Sequence, residues 1–247
     1  MAAKRTRVNK VKIGCCGFAG SLASYAELFT TVEVQQTFYE PPQLATMARW
    51  RREVPAHFEF TLKAWQLITH ESKSPTYRRL KRELSETERT ECGAFRNTKI
   101  VREAWHRTLE SARVLDATRI LFQCPASFKP TEANLDRMRQ FFAEIDRQSL
   151  VLYWEPRGKD WTKAICAQIC SELDILHAVD PFVSATVNPE DTYYRLHGKD
   201  GWRYVYTDDD LGKLLEMTPR STASYVFFNN IKMRQDAVRF GELINAT

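Results

Sequence analysis

The sequence predicts an α/β fold, a TIM-like (β/α) barrel of eight parallel strands, and three observations carry the prediction. Short apolar runs of strand length recur along the whole chain, segments of helical character stand between them, and the runs end in polar or charged residues. Regular alternation favours a parallel sheet, and eight units favour closure over an open, doubly wound sheet. A chain of 247 residues suits one barrel, so residues 1–247 are read as a single domain with a basic N-terminal tail over residues 1–10.

The first strand is VKIGCCGF (11–18), followed by a short helical segment over residues 24–29. In TVEVQQTFYE (31–40), Val32 and Val34 take one phase, Glu33 and Gln35 the other. A helical segment over 44–52 leads to HFEFTLKAW (57–65), where Phe58, Phe60 and Leu62 share a face opposite Lys63. Residues 71–97 break the rhythm, being charged and poor in apolar residues, and are read as an inserted loop with a polar helix after the third strand. A solvated surface excursion is the plainer reading of this insertion. A cover over the pocket is the alternative, since loops after strands build the active face of such barrels. A long helix over 99–115 precedes RILFQCP (119–125), and Thr131 opens a helix over 132–147 ahead of LVLYWEPRG (150–158). A helix over 162–173 follows, then DILHAVDPF (174–182) and TYYRLHG (192–198). Thr207, with Asp208, Asp209 and Asp210 in the first turn, starts a helix over 208–217. SYVFFNN (224–230) and a helix over 232–244 complete the series.

The composition, 43% hydrophobic and 27% charged with no apolar run of membrane-spanning length, excludes a helical membrane protein. The start, MAAKRTRVNKVKIG, is basic but lacks the apolar middle of a secretory signal, and the six cysteines are scattered, so reduced thiols and a cytoplasmic location are expected. A net charge of +5 leaves room for nucleic acid but falls short of a dedicated binder. The basic stretches over 4–12 and 78–89 are the segments that would meet a phosphate backbone, yet Glu83, Glu86 and Glu88 interleave the second.

Charged groups on the inner phase of a buried sheet are costly unless paired, so their recurrence near strand ends points to one shared polar site. Arg195 and His197 share a face, and Gly198 lets the chain turn directly after them. Arginine offers a fixed fork of donors and histidine exchanges a proton near neutral pH. The structural alternative is an internal ion pair of Arg195 with Glu155 or Glu33. Glu155 and Arg157 also share a face, with Glu155 read as general base, metal ligand or ion-pair partner. Lys63 is read first as a phosphate or carboxylate binder and second as a Schiff-base lysine. Tyr39, Trp65, Phe38 and Phe18 are placed around the mouth, where rings stack on a sugar or base. Lys63, Arg157 and Arg195 oppose Glu33, Glu155 and Asp180, and protonation of His70 and His197 would tip the site positive, which suits an anionic ligand. Five histidines supply too few ligands for a trinuclear zinc cluster, whereas a single divalent ion on Glu33, Glu155, Asp180 or His197 is admitted. No nucleotide-cofactor motif stands in the chain. Cys15 or Cys16 and Cys124 are placed where they could share the pocket, with buried, inert thiols as the default reading.

The motifs GCCGF, VEVQQTFYEPP, FEFTLKAWQLITH, ILFQCPASF, WEPRG, YYRLHG and VFFNN, in this order over residues 13–230, resemble the YecE-like family, domain of unknown function 72. The resemblance implies a TIM-like barrel related to the endonuclease IV and xylose isomerase type and supplies no activity. Matched position by position, it highlights Glu33, Thr37, Phe38, Tyr39, Lys63 and His70, then Gln123, Pro125, Glu155 and Arg157, and finally Arg195, His197, Gly198, Asn229 and Asn230. Two departures stand at strand ends: the usual Gly-Thr-Ser-Gly-Trp is here Gly14-Cys15-Cys16-Gly17-Phe18, and the usual Asn is Gln35.

The first functional reading is an enzyme, of hydrolase, phosphodiesterase, isomerase or lyase type, acting on a small anionic, phosphorylated or sugar-like ligand at the C-terminal face. Glu155 and His197 are its expected catalytic residues, and Glu33, Tyr39, Lys63, His70, Gln123, Arg157, Arg195 and Asn229 its ligand-binding set, with no metal ligand assigned. The second is a nucleic-acid-binding or endonuclease IV-like phosphodiesterase barrel, and the third a barrel that binds a ligand or partner without catalysis.

Overall fold

The computed structural model of the chain describes residues 10–246, so the basic tail expected over residues 1–10 lies, apart from Lys10, outside the described residues. Eight parallel strands form a nearly closed barrel: β1 (Val11–Cys15), β2 (Thr31–Val34), β3 (Glu59–Lys63), β4 (Arg119–Gln123), β5 (Val151–Glu155), β6 (Leu176–Val179), β7 (Asp191–Leu196) and β8 (Ala223–Phe228). The pairing runs β1-β8-β7-β6-β5-β4-β3-β2, and β1 and β2, at the two ends of that order, meet through the bridge Cys16–Glu33. Gly14 allows this closure, because a Cβ there would stand 2.3 Å from the Thr31 carbonyl oxygen. The Tyr25 hydroxyl spans the same line, accepting from the Cys15 amide at 2.7 Å and donating to the Thr31 carbonyl at 2.9 Å.

Outer-phase residues, among them Val32, Val34, Phe60, Leu62, Ile120, Phe122, Leu152, Trp154, Leu196 and Phe228, pack under a ring of helices. That ring contains α1 (Leu22–Ala26), α2 (Gln36–Tyr39), α3 (Leu44–Glu53), α4 (Gln66–Thr69), α5 (Glu86–Glu91), α6 (Lys99–Leu115), α7 (Glu132–Glu144), α8 (Lys163–Leu173), α9 (Asp208–Met217) and α10 (Met233–Ala246). The expected caps are present: the Thr131, Thr162 and Thr207 side chains accept from Asn134, Ile165 and Asp210 amides. Inside the barrel, Leu121, Tyr153, Ala178, Tyr193, Tyr225 and Phe227 form a second apolar cluster, with the Tyr153 and Tyr193 rings 4.5 Å apart between centroids. The interior is thus plugged below and polar above.

Two expectations need correction, and a third is met in part. The alternation of strand and helix lapses between β6 and β7, which are joined by residues 180–190 without a helix; Pro181 and Pro189 disfavour one. The runs after β2 and β3 do not continue as strands but fold at once into the four-residue helices α2 and α4. The insertion is the expected loop with a polar helix, at the surface over most of its length and buried at Leu84 and over residues 92–95. It holds a 3-10 turn (Pro75–Arg79) and α5, the latter closed by a Ser85/Glu88 capping box. Phe95 at its end is fully buried, with ring centroids of Phe128, Phe141 and Phe142 5.3–5.6 Å away. The Phe95 amide also donates to the Ile68 carbonyl at 2.9 Å, which fixes the insertion on α4.

Candidate functional site

The centre of the upper barrel is Arg195, which is wholly buried. Strand alternation points it inward from β7, and both inner carboxylates meet it. Its Nε and Nη2 donate to Glu33 at 2.8–3.2 Å, and its Nη1 donates to Glu155 Oε2 and, at 3.3 Å, to Gln123 Oε1. Tyr193 also donates to Glu33 at 2.8 Å, and Gln35 donates to it as well. Burial disfavours the Glu155 carboxylate, but Arg195 and Arg157 more than offset that and hold its pKa well below the usual range. Arg157 Nη2 lies 2.7 Å from Glu155 Oε1, so Glu155 is gripped from both sides.

His197 adjoins this pair. Its Nε2 is 2.6 Å from Arg157 Nη2 and 3.1 Å from Glu155 Oε1, while Nδ1 is 3.1 Å from the Asn229 amide. Burial lowers its pKa and the Glu155 carboxylate only partly opposes this, so the resting ring is neutral at pH 7. A neutral ring that receives the Arg157 proton at Nε2 carries its own at Nδ1, and this tautomer requires the Asn229 side chain to present its oxygen in place of the amide nitrogen that stands 3.1 Å from Nδ1. Gly198, at φ 84°, makes the expected turn, and the Asp180 carboxylate accepts from the His197 and Phe182 amides at 2.9 and 3.0 Å.

Above the barrel centre opens a cavity of about 460 Å³, lined by Gln35, Tyr39, Lys63, His70, Gln123, Arg157, His197 and Asn229 of the expected polar set, and by Cys16, Phe18 and Phe38. Of the lining residues that sequence reasoning missed, Gln36, Thr76, Arg79 and Met233, two come from the insertion, Thr76 and Arg79. Arg79 sets its guanidinium 3.5 Å from the Tyr39 ring centroid, a stacking that no strand or helix periodicity announces. The residues lining this cavity include three cations, Lys63, Arg79 and Arg157, and no carboxylate. A second cavity of about 690 Å³ lies on the β5–β6 side, and Arg157 and His197 line both.

Some expected residues fall elsewhere. Glu33 and Arg195 line neither cavity and form the floor beneath the first, because each satisfies the other's charge; Glu155 lines only the second. Trp65 is packed in the outer core and leaves the mouth to Phe18, Phe38 and Tyr39. His70 is buried, shares a 2.7 Å hydrogen bond with Thr69 and has its pKa lowered by burial to about 3, so it cannot act as the protonated group expected of it. Cys124 turns outward to accept from Trp154 Nε1 at 3.3 Å, whereas Cys16 lies on the cavity side, 3.6 Å from Arg195 Nη2. A divalent ion on Glu33, Glu155, Asp180 or His197 finds these oxygens already engaged by arginines or backbone amides, and no group of three His, Cys, Asp or Glu side chains suited to a metal is found among the described residues.

Lys63 is 4% exposed, and its Nζ sits 3.6 Å from the Phe38 ring centroid. Among the described residues the amine has no hydrogen bond or ion pair, although its Thr37-bonded carbonyl fixes the backbone at 2.7 Å. Burial first, then the Arg195 charge, lowers its pKa to about 7. No helix among the described residues is long and apolar enough to cross a membrane.

Solved structures share the architecture. A DUF72 family protein from Enterococcus faecalis V583 aligns over 98% of this chain and 100% of its own at 22% identity and a TM-score of 0.69. One from Thermotoga maritima MSB8 aligns over 95% and 99% at 19% identity and a TM-score of 0.69. A xylose isomerase domain containing protein from Salmonella typhimurium LT2 aligns over 95% of each chain at 11% identity and a TM-score of 0.56. At these identities the likeness is one of fold. Among curated proteins, none matches the chain. The family model described as "Protein of unknown function DUF72" matches residues 16–246, nearly the whole barrel, and the chain therefore belongs to the DUF72 family.

Proposed function

We propose that the 460 Å³ cavity binds a small anionic ligand, phosphorylated or sugar-acid in type, and that His197, backed by Glu155, exchanges protons with it. The observation that carries this reading is a lining that holds the Arg79 and Arg157 guanidiniums and no carboxylate. Arg195 is not available to the ligand, since Glu33 and Glu155 saturate it; Arg157 and Arg79 are the arginines that reach it. A ligand anion that draws Arg157 toward itself also takes the donor away from His197 Nε2. That nitrogen then becomes a base, and the imidazolium it forms donates to Glu155 Oε1. Ligand capture and proton transfer are coupled in this way through one guanidinium. A cytoplasmic location fits the six buried, unbridged cysteines.

Titration calorimetry with inorganic phosphate and with ribose 5-phosphate tests the binding. Arg79→Ala and Arg157→Ala are each expected to weaken binding by about tenfold or more, the worth of one charge-assisted contact. Absence of binding of either probe at millimolar concentration, or binding indifferent to both replacements, overturns the reading. The nucleic-acid reading has less support, because Arg82 in the insertion pairs with Glu88.

A further inference from the structure

We propose that Lys63 is a covalent amine: it forms an imine with the carbonyl carbon of a phosphorylated or carboxylated aldehyde or ketone held in the 460 Å³ cavity. The inference rests on the anion-binding reading above and adds the substrate's reacting group.

Four observations place the chemistry on this amine. A buried structural lysine is ordinarily paired with a carboxylate, yet the inner carboxylates nearby are both engaged by arginines and Lys63 Nζ faces only the Phe38 ring. The amine is not sealed in, since Lys63 lines a cavity large enough for a small sugar phosphate. The cations suited to the ligand's anionic end, Arg79 and Arg157, are other residues of the same cavity, so Lys63 is not needed for that task. His197, which must move protons in any carbonyl addition, lines the same space. Burial and the Arg195 charge act together in favour of the neutral amine.

In the step itself, the Nζ lone pair attacks the carbonyl carbon, the C=O π pair moves to oxygen, and proton transfer through His197 gives a neutral carbinolamine. Expulsion of that oxygen as water, with loss of the second nitrogen proton, leaves C=N: one amine and one carbonyl become one imine and one water. No oxidant or reductant is consumed.

Trapping tests the proposal. The full chain is incubated at pH 7 with glycolaldehyde phosphate and sodium cyanoborohydride, which delivers hydride to the imine carbon and fixes the adduct as a secondary amine. Intact mass and peptide mapping then locate it. At pH 7 about half of Lys63 is neutral, against roughly one in three thousand of an ordinary lysine, and a weaker base is a weaker nucleophile, so labelling of Lys63 should exceed that of exposed Lys99 by about thirty- to sixtyfold. Inorganic phosphate should slow labelling at Lys63 and leave Lys99 unchanged. Lys63→Arg, shown to be folded by urea unfolding, should lose the adduct and leave Lys99 labelling unchanged; Lys63→Met serves the same purpose if the arginine variant does not fold. Labelling of Lys63 no faster than Lys99, in protein that still binds phosphate, overturns the imine and spares the anion site. Rapid labelling of Lys63 without phosphate binding or phosphate protection overturns the anion reading and, with it, this assignment of the substrate class.

Discussion

Replacing Arg195 by Met should cost about 3–5 kcal/mol of folding stability, the usual penalty for removing one partner of a buried pair. The size follows from what each carboxylate keeps. Glu155 retains Arg157 and His197, so most of the loss falls on Glu33, which keeps the Tyr193 and Gln35 hydrogen bonds but no cation among the described residues. For a chain of this size the penalty corresponds to a fall in Tm of about 6–20 °C. The pH dependence fixes the mechanism. A stranded carboxyl takes up a proton in the folded variant at a pH where the unfolded chain does not, so the variant binds more protons folded than unfolded and loses stability as pH rises. The deficit against the parent should therefore be larger at pH 8 than at pH 5. Urea unfolding followed by tryptophan fluorescence, with the slope m checked for constancy, measures both values. Adding Glu33→Gln should recover about half of the loss or more, because the uncompensated charge is gone. A deficit below about 1 kcal/mol, or one that neither pH nor the second replacement changes, would refute the view of Arg195 as the charge that makes the floor stable.

Other outcomes follow from the same geometry. Lys63→Met should stabilise the fold, because a lysine whose folded pKa is lowered to about 7 favours the unfolded state wherever it is protonated there; the gain should be about 2.5–3 kcal/mol larger at pH 6 than at pH 9, as read by urea unfolding. His70 and His177, lowered by burial to about 3 and about 4, should show imidazole NMR shifts that do not change between pH 5 and 8, and a titration midpoint near 6.5 for either would contradict its burial. Phe95→Ala should cost about 3–5 kcal/mol and, by loosening the insertion that carries Arg79, weaken phosphate binding although Phe95 does not line the cavity. Unchanged affinity in a destabilised Phe95 variant would separate the anchor from the site.

The barrel was legible because its signals are local. Apolar runs of strand length, threonine caps and the two-residue spacing of Glu155/Arg157 and Arg195/His197 all survive in the structure. Which polar residue faces the ligand was not legible, because that depends on distances across the barrel. Arg195 and Glu33 carry the same inward phase as Lys63, yet they neutralise each other below the floor while Lys63 remains without an ion partner among the described residues. Arg79 was hidden for another reason: its place over Tyr39 is set by Phe95, sixteen positions further along the chain, docking into a cluster of rings. Sequence periodicity does not report such docking of irregular segments.

The bridge at which β1 meets β2 joins Cys16 to Glu33, and Gln35 follows two residues later, so Cys16 and Gln35, two of the positions where the chain departs from the usual family residues, flank the line on which the cylinder closes. That line holds together through a tyrosine hydroxyl and a few backbone contacts instead of a full ladder. It borders the cavity through Cys16, Gly17 and Gln35. Cys16 and Gln35 thus stand beside one seam and line one cavity, and the effects of replacing them are expected to be non-additive.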